Sequence, residues 1–129
     1  MFRSFEAGVT TIQSHPHVEH LLAVGSYDDH IRLFDVRNPL RPVSQMHVGG
    51  GVWRAKWHPS SARKDDLLLA CMYAGCKVVK IGEETSEVVK SFEEHKSIAY
   101  GADWSFAAGE LTKVATCSFY DHSLYVWDA

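Results

Sequence analysis

Residues 21–35 read Leu-Leu-Ala-Val-Gly-Ser-Tyr-Asp-Asp-His-Ile-Arg-Leu-Phe-Asp, and residues 114–128 read Val-Ala-Thr-Cys-Ser-Phe-Tyr-Asp-His-Ser-Leu-Tyr-Val-Trp-Asp. Both run as an apolar strand, a polar turn and a second strand that closes on an aromatic residue and Asp. Asp35 and Asp128 lie 93 residues apart, two steps of a period in the forties, and a weaker copy sits between them at Leu67–Ile81. Apolar residues alternate or run in short blocks between turn residues, as strands require, and no stretch has a helical period.

Working outward, the strand before each such pair ends at His15-Pro16, His58-Pro59 and Ser105-Phe106. Each unit then reads as four strands, a to d. Strands a are expected at about Val9–Ser14, Val52–Trp57 and Tyr100–Trp104, and strands b at Leu21–Ser26, Leu67–Met72 and Val114–Ser118. Strands c are expected at Ile31–Val36, Lys77–Ile81 and Leu124–Asp128, and strands d at Val43–His47 and Val88–Phe92 only. A repeat of this length ending on Trp-Asp is the signature of all-β WD-repeat β-propeller blades. The units are about 8–50, 51–97 and 98–129. A closed ring needs at least four blades, so about three make an incomplete ring with open edges. The expectation is a chain that exposes apolar blade faces, among them Leu67–Leu69, Val78-Val79 and Leu124–Val126, and self-associates through them.

Composition sets broad limits. The chain has 129 residues, is 46% hydrophobic and 22% charged, and carries a formal net charge of −3. No basic run points to nucleic acid. The longest apolar run, Leu67–Ala74, is too short to span a bilayer, and Met1–Glu6 contains an acid and lacks an apolar core, unlike a signal peptide. The three cysteines, Cys71, Cys76 and Cys117, fall in strand-like segments and read as buried free thiols in a reducing compartment. The cytoplasm is the expected location, and the nucleus is compatible with the same features.

The third unit holds the full set for a buried polar chain: His95 before strand a, Thr116 on strand b, Asp121 in the b–c turn and Trp127 on strand c. Such a set rigidifies a blade when every member is satisfied. The first unit keeps Asp28 but has Val24 and Phe34 at the other places, so Asp28 is expected to lack its structural partners.

Longer phrases add a resemblance. Gly25-Ser26-Tyr27-Asp28-Asp29-His30-Ile31, the run Gly49–Pro59, Tyr100-Gly101-Ala102-Asp103-Trp104 and the run Ala115–His122 resemble, in order, the C-terminal portion of the diphthine methyl esterase family of WD-repeat proteins. The resemblance implies hydrolysis of the methyl ester of methylated diphthine, a modified histidine of translation elongation factor 2, to diphthine and methanol, a step of diphthamide biosynthesis. That factor is the implied partner, and the resemblance implies no cofactor. Two alternatives stand beside it: a non-catalytic WD-repeat protein-binding scaffold, and an inactive truncated remnant of the esterase.

The residues themselves show no Gly-x-Ser-x-Gly elbow and no zinc spacing, so no metal site is expected. Ester hydrolysis without a cofactor needs a base, a nucleophile or activated water, and oxyanion donors. In a propeller, the d–a and b–c connections open on one face. His30 and His122 sit in b–c turns beside Asp28, Asp29 and Asp121, and a carboxylate neighbour can orient a histidine for base catalysis. Arg54 and Asp103 lie on strands a, and the planar fork of Arg54 suits a carboxylate or oxyanion. His30, His122, Asp28, Asp103 and Arg54 are therefore the catalytic candidates, with Cys117 and Ser118 as nominal nucleophiles. The trimethylammonium group of diphthine suits aromatic faces, which makes Trp53, Tyr27, Tyr100 and Tyr120 candidates for binding it. His15, His17, His20 and His58 fall in a–b connections and read as turn residues. Each of these side chains also has a bland reading: solvated turn, ion pair or blade packing.

Overall fold

The computed structural model describes residues 5–107 and 109–129; the N-terminal segment Met1–Ser4 and Ala108 of the expected 107–110 loop lie outside them. Eleven strands among the described residues form three antiparallel meanders. The first sheet is β1 (Val9–Ser14), β2 (Leu21–Ser26), β3 (His30–Asp35) and β4 (Ser44–His47). The second is β5 (Arg54–Trp57), β6 (Asp66–Ala70), β7 (Cys76–Lys80) and β8 (Glu87–Phe92). The third is β9 (Ala99–Trp104), β10 (Lys113–Ser118) and β11 (Ser123–Asp128), with no fourth strand beside β11 among the described residues. These are propeller blades, each in the order of the chain. A single 3-10 turn, Ser61–Arg63, interrupts the loop between β5 and β6.

The two-residue period of β6 explains how one sheet serves two cores. Leu67, Leu69 and Cys71 face the first sheet with Ala23, Ile31, Leu33 and Trp57. Leu68 and Ala70 face the third with Val78, Ala102, Trp104, Val114 and Trp127. The expectation that Leu67–Leu69 and Val78-Val79 stay uncovered is therefore corrected: all five are fully buried, because the middle sheet is sandwiched. Exposed apolar side chains lie instead at Ile12 of β1, at Leu124 and Val126 of β11, and at Val88 and Val89 on the edge strand β8 of the middle sheet.

Adjacent sheets are tied at the ends of their first strands. The Trp57 indole donates to Gln13 O at 3.2 Å, and Trp104 to Lys56 O at 2.8 Å. His15 packs on Trp57 with ring centroids 4.3 Å apart, and His58 on Trp104 at 4.6 Å. In both histidines Nδ1 accepts backbone N–H groups of its own turn, which leaves Nε2–H as donor. His15 donates to Lys64 O at 2.7 Å and His58 to Thr112 Oγ1 at 2.8 Å. The turn reading of these two is thus incomplete: they are ties between blades. Burial lowers the pKa of each.

In the third sheet the polar chain is complete and runs one way. Trp127 donates to Thr116 Oγ1 at 3.2 Å, Thr116 to His95 Nε2 at 2.9 Å, and His95 Nδ1–H to Ser123 Oγ at 3.0 Å; Ser123 then donates to Asp121. Ser123 is the member that the repeat pattern did not supply. Burial lowers the His95 pKa, with Asp121 opposing.

Candidate functional site

The site is built where the connections between β2 and β3, β6 and β7, and β10 and β11 meet the starts of β5 and β9. Glycines make this approach feasible. Gly49 has φ +86°, and a Cβ on Gly50 would stand 2.2 Å from Cys71 O, closer than any side chain tolerates. Tyr27, Trp53, Tyr100 and Tyr120 come together as one strip across all three sheets. Their ring centroids are 5.6 Å (Tyr27–Trp53), 5.3 Å (Trp53–Tyr100) and 6.2 Å (Tyr100–Tyr120) apart, and Phe119 adds a ring 5.2 Å from Tyr120. An open cavity of about 470 Å³ lies against the strip, lined by Trp53, Arg54, Tyr100, Gly101, Cys117 and Phe119 among others. Burial raises the Tyr100 pKa, as do the phenols of Tyr120, Tyr27 and Tyr73, so Tyr100 is a neutral phenol at pH 7.

Of the five catalytic candidates only Arg54 lines this cavity, together with both nominal nucleophiles, Cys117 and the buried Ser118. His30 sits outside it: Nδ1 donates to Asp28 O at 2.7 Å and the ring lies edge-on to His47 at 5.1 Å. It borders a separate hollow with Glu6, Arg32, Arg41 and Gln45. His122 is exposed in a turn at φ +56°. The repeat offset pairs it with Asp29 (φ +64°), while His30 pairs with Ser123, so the two histidines do not occupy equivalent places. Asp103 is exposed on the same outer side of the third sheet as Gly101 and Cys117, two residues further along β9 beside Lys113 and Val126 and outside the cavity lining, its Oδ1 accepting the Trp104 N–H at 2.9 Å.

Asp28 corrects an expectation. Its carboxylate has partners: Oδ1 accepts a hydrogen bond from Arg32 Nη1 at 2.9 Å, Oδ2 lies 2.9 Å from Arg32 Nη2 in an ion pair, and the Glu6 N–H donates to Oδ2 at 3.2 Å. Its side chain is 2% exposed and that of Arg32 6%. Arg32 also lies 4.8 Å from the Phe5 ring centre. Burial alone would raise the Asp28 pKa, but Arg32 and the backbone donor hold it down at about 2. The missing polar chain is replaced by an ion pair, so Asp28 acts as a structural carboxylate here.

Cys71 and Cys76 are buried, with pKa pushed up to about 12, mainly by burial. Cys117 is exposed, contrary to expectation, because it falls on the outer side of the third sheet. It projects over Gly101, where a Cβ would stand 2.4 Å from its Sγ. The arrangement can hold a cation against neutral aromatic faces and set Arg54 and a thiol beside it. None of the described residues lining the cavity is a histidine or carboxylate. Among the described residues, no cluster of three or more His, Cys, Asp or Glu could hold a metal ion, and no helix is long and apolar enough to cross a membrane. The sequence reasoning missed Phe119, Gly101 and Tyr73; Tyr73 was findable from the repeat step.

The chain is similar to known proteins along nearly all its length. The WD domain, G-beta repeat family matches residues 2–35. A diphthine methyltransferase homolog of Dictyostelium discoideum is 41% identical over 132 residues, covering 95% of this chain and 35% of that protein. Human diphthine methyltransferase is 50% identical over 104 residues, covering 77% and 23% respectively. Diphthine methyltransferase of Saccharomyces cerevisiae is 34% identical, covering 97% and 38%. The chain therefore spans between about a quarter and two fifths of the length of these relatives. A chain in the crystal structure of the mitotic checkpoint complex superposes with a TM-score of 0.81 over 98% of this chain and 37% of that one, at 17% identity. That likeness is one of fold.

Proposed function

We propose that these blades belong to an enzyme of diphthamide biosynthesis that hydrolyses the methyl ester of methylated diphthine on translation elongation factor 2. Water adds to the ester carbonyl, the bond from the carbonyl carbon to the methoxy oxygen breaks, and methanol leaves with a proton, giving diphthine as its carboxylate. The observation that carries the reading is the aromatic strip beside Arg54, in a chain 34–50% identical to proteins named for diphthine. Trp53, Tyr27, Tyr100 and Tyr120 take the trimethylammonium group on their negative faces. Arg54 takes the ester oxygen, where negative charge grows in the transition state. The relatives' name speaks of methyl transfer; hydrolysis is the finer reading, and the two differ in mass balance.

The test is incubation of the chain with elongation factor 2 carrying methylated diphthine, in water enriched in heavy oxygen. Peptide mass spectrometry reads the modified histidine. Loss of one methyl group, with one heavy oxygen in the new carboxylate, supports hydrolysis at the carbonyl carbon. Gain of a methyl on unesterified diphthine with a methyl donor supports transfer instead. The cavity lining without histidine or carboxylate favours a second reading, a binding module. Binding of the modified factor at unchanged mass would select it.

A further inference from the structure

The binding strip as described uses two of the three turns on its face. The third, between β6 and β7, carries Tyr73, 46 residues after Tyr27 and 47 before Tyr120. The repeat thus puts a tyrosine at the same place in all three sheets. Packing fixes the third turn between the other two. On one side, a Cβ on Gly51 would stand 2.7 Å from Met72 Sδ and 3.2 Å from Tyr27 Cδ1. The bare backbone of Gly51 is what lets the first two turns close on each other. On the other side, Ala99 donates its N–H to Met72 O at 3.1 Å, one residue before Tyr100. Met72 at φ +48° and Gly75 at φ +74° bend the turn, and Tyr73 stands 82% exposed on it. The Tyr73 phenol is near enough to Tyr100 to oppose its ionisation, as those of Tyr120 and Tyr27 do.

We propose that Tyr73 is a further substrate-binding residue, which with Tyr27 and Tyr120 makes a rim of three turn tyrosines, one per sheet, around a quaternary ammonium held over Trp53 and Tyr100. The inference rests on the reading of this strip as the ammonium subsite. A cation gains from every aromatic face it meets, whereas a neutral group of the same shape gains only apolar contact. Charge therefore separates a rim from a greasy patch.

The experiment titrates the 129-residue chain with choline, and in parallel with 3,3-dimethylbutanol, its neutral isostere, at constant ionic strength. Trp53 fluorescence is the readout; the other three tryptophans are buried, and Trp53→Phe identifies the signal. Choline is expected to bind in preference to the isostere. Tyr73→Ala is expected to weaken choline about two- to five-fold, while Tyr73→Phe keeps the affinity, since the face and not the hydroxyl binds. Thermal melts of the variants check the fold. Equal choline affinity in wild type and Tyr73→Ala overturns the rim and leaves the esterase reading standing. An equal loss for the isostere overturns it too, and so does failure of the wild type to bind choline. A negative mass-spectrometric test with choline results as expected would sink the esterase reading and leave the rim.

Discussion

Replacing Asp28 by Ala isolates the ion pair that stands in for a polar chain. The substitution removes a carboxylate that is 2% exposed and leaves the Arg32 guanidinium, 6% exposed, without its counter-charge. A charge-assisted hydrogen bond and an ion-pair contact, each of 2.9 Å, disappear, and so does the acceptor for the Glu6 N–H. Breaking one side of a buried pair costs about 3–5 kcal/mol, most of it the stranded charge. Asp121 contrasts: its side chain is 12% exposed and its oxygens accept from the neutral donors of Ser123 and of the Lys96 N–H at 2.9 Å, so its removal strands no charge. Asp28→Ala is therefore expected to lower the urea midpoint more than Asp121→Ala, the reverse of what the repeat pattern suggests. The double variant Asp28→Ala, Arg32→Met should recover much of the loss, because no charge remains to be stranded. The Asp28 pKa is depressed from 3.8 to about 2, so its contribution is present above pH 4 and lost as pH falls toward 2. Equal losses for the two single variants, or a double variant no better than Asp28→Ala, would falsify this account.

Thr116→Val removes the oxygen that accepts from Trp127 and the hydroxyl that donates to His95; with both groups buried, a loss of about 1–3 kcal/mol is expected in urea unfolding. His15, His58 and His95 are neutral acceptors whose pKa burial lowers below 6.5. Their contribution is full above pH 6.5 and falls as pH drops below it. Urea midpoints measured from pH 8 to 5 should decline in the lower half, less steeply in His58→Gln; a flat profile would contradict the inter-blade role. A thiol reagent under native conditions should add one label, at Cys117, with Cys71 and Cys76 reacting only on unfolding; peptide mapping that finds Cys71 or Cys76 labelled in the native chain would count against the sandwiched middle sheet.

Periodicity made the blades legible, and strand limits differ from expectation by one or two residues, as at Arg54–Trp57. The aromatic strip was legible because the repeat told which turns share a face. What stayed hidden were partners chosen across sheets. Arg32 reads as an ordinary strand residue until Phe5 and Asp28 close over it. His30 and His122 looked alike because each follows an Asp in a turn, yet one begins a strand and the other occupies the left-handed position. Cys117 looked buried from strand propensity alone, since sequence does not tell which side of an outer sheet meets a neighbour.

The indole and imidazole pairs Trp57–His15 and Trp104–His58 lie at the ends of the first strands remote from the aromatic strip. Each pair is a wedge driven between two plates. Trp53 and Tyr100 lie at the opposite ends of the strands that carry Trp57 and Trp104. With about 3.3 Å of rise per residue, the four residues from Arg54 to Trp57 form a lever of about 10 Å. Thinning a wedge, as in His58→Ala, is therefore expected to tip its plate about that lever and to change the environment of Trp53 without touching it; an unchanged Trp53 fluorescence in a folded variant would show that the wedge does not set the spacing of the rings.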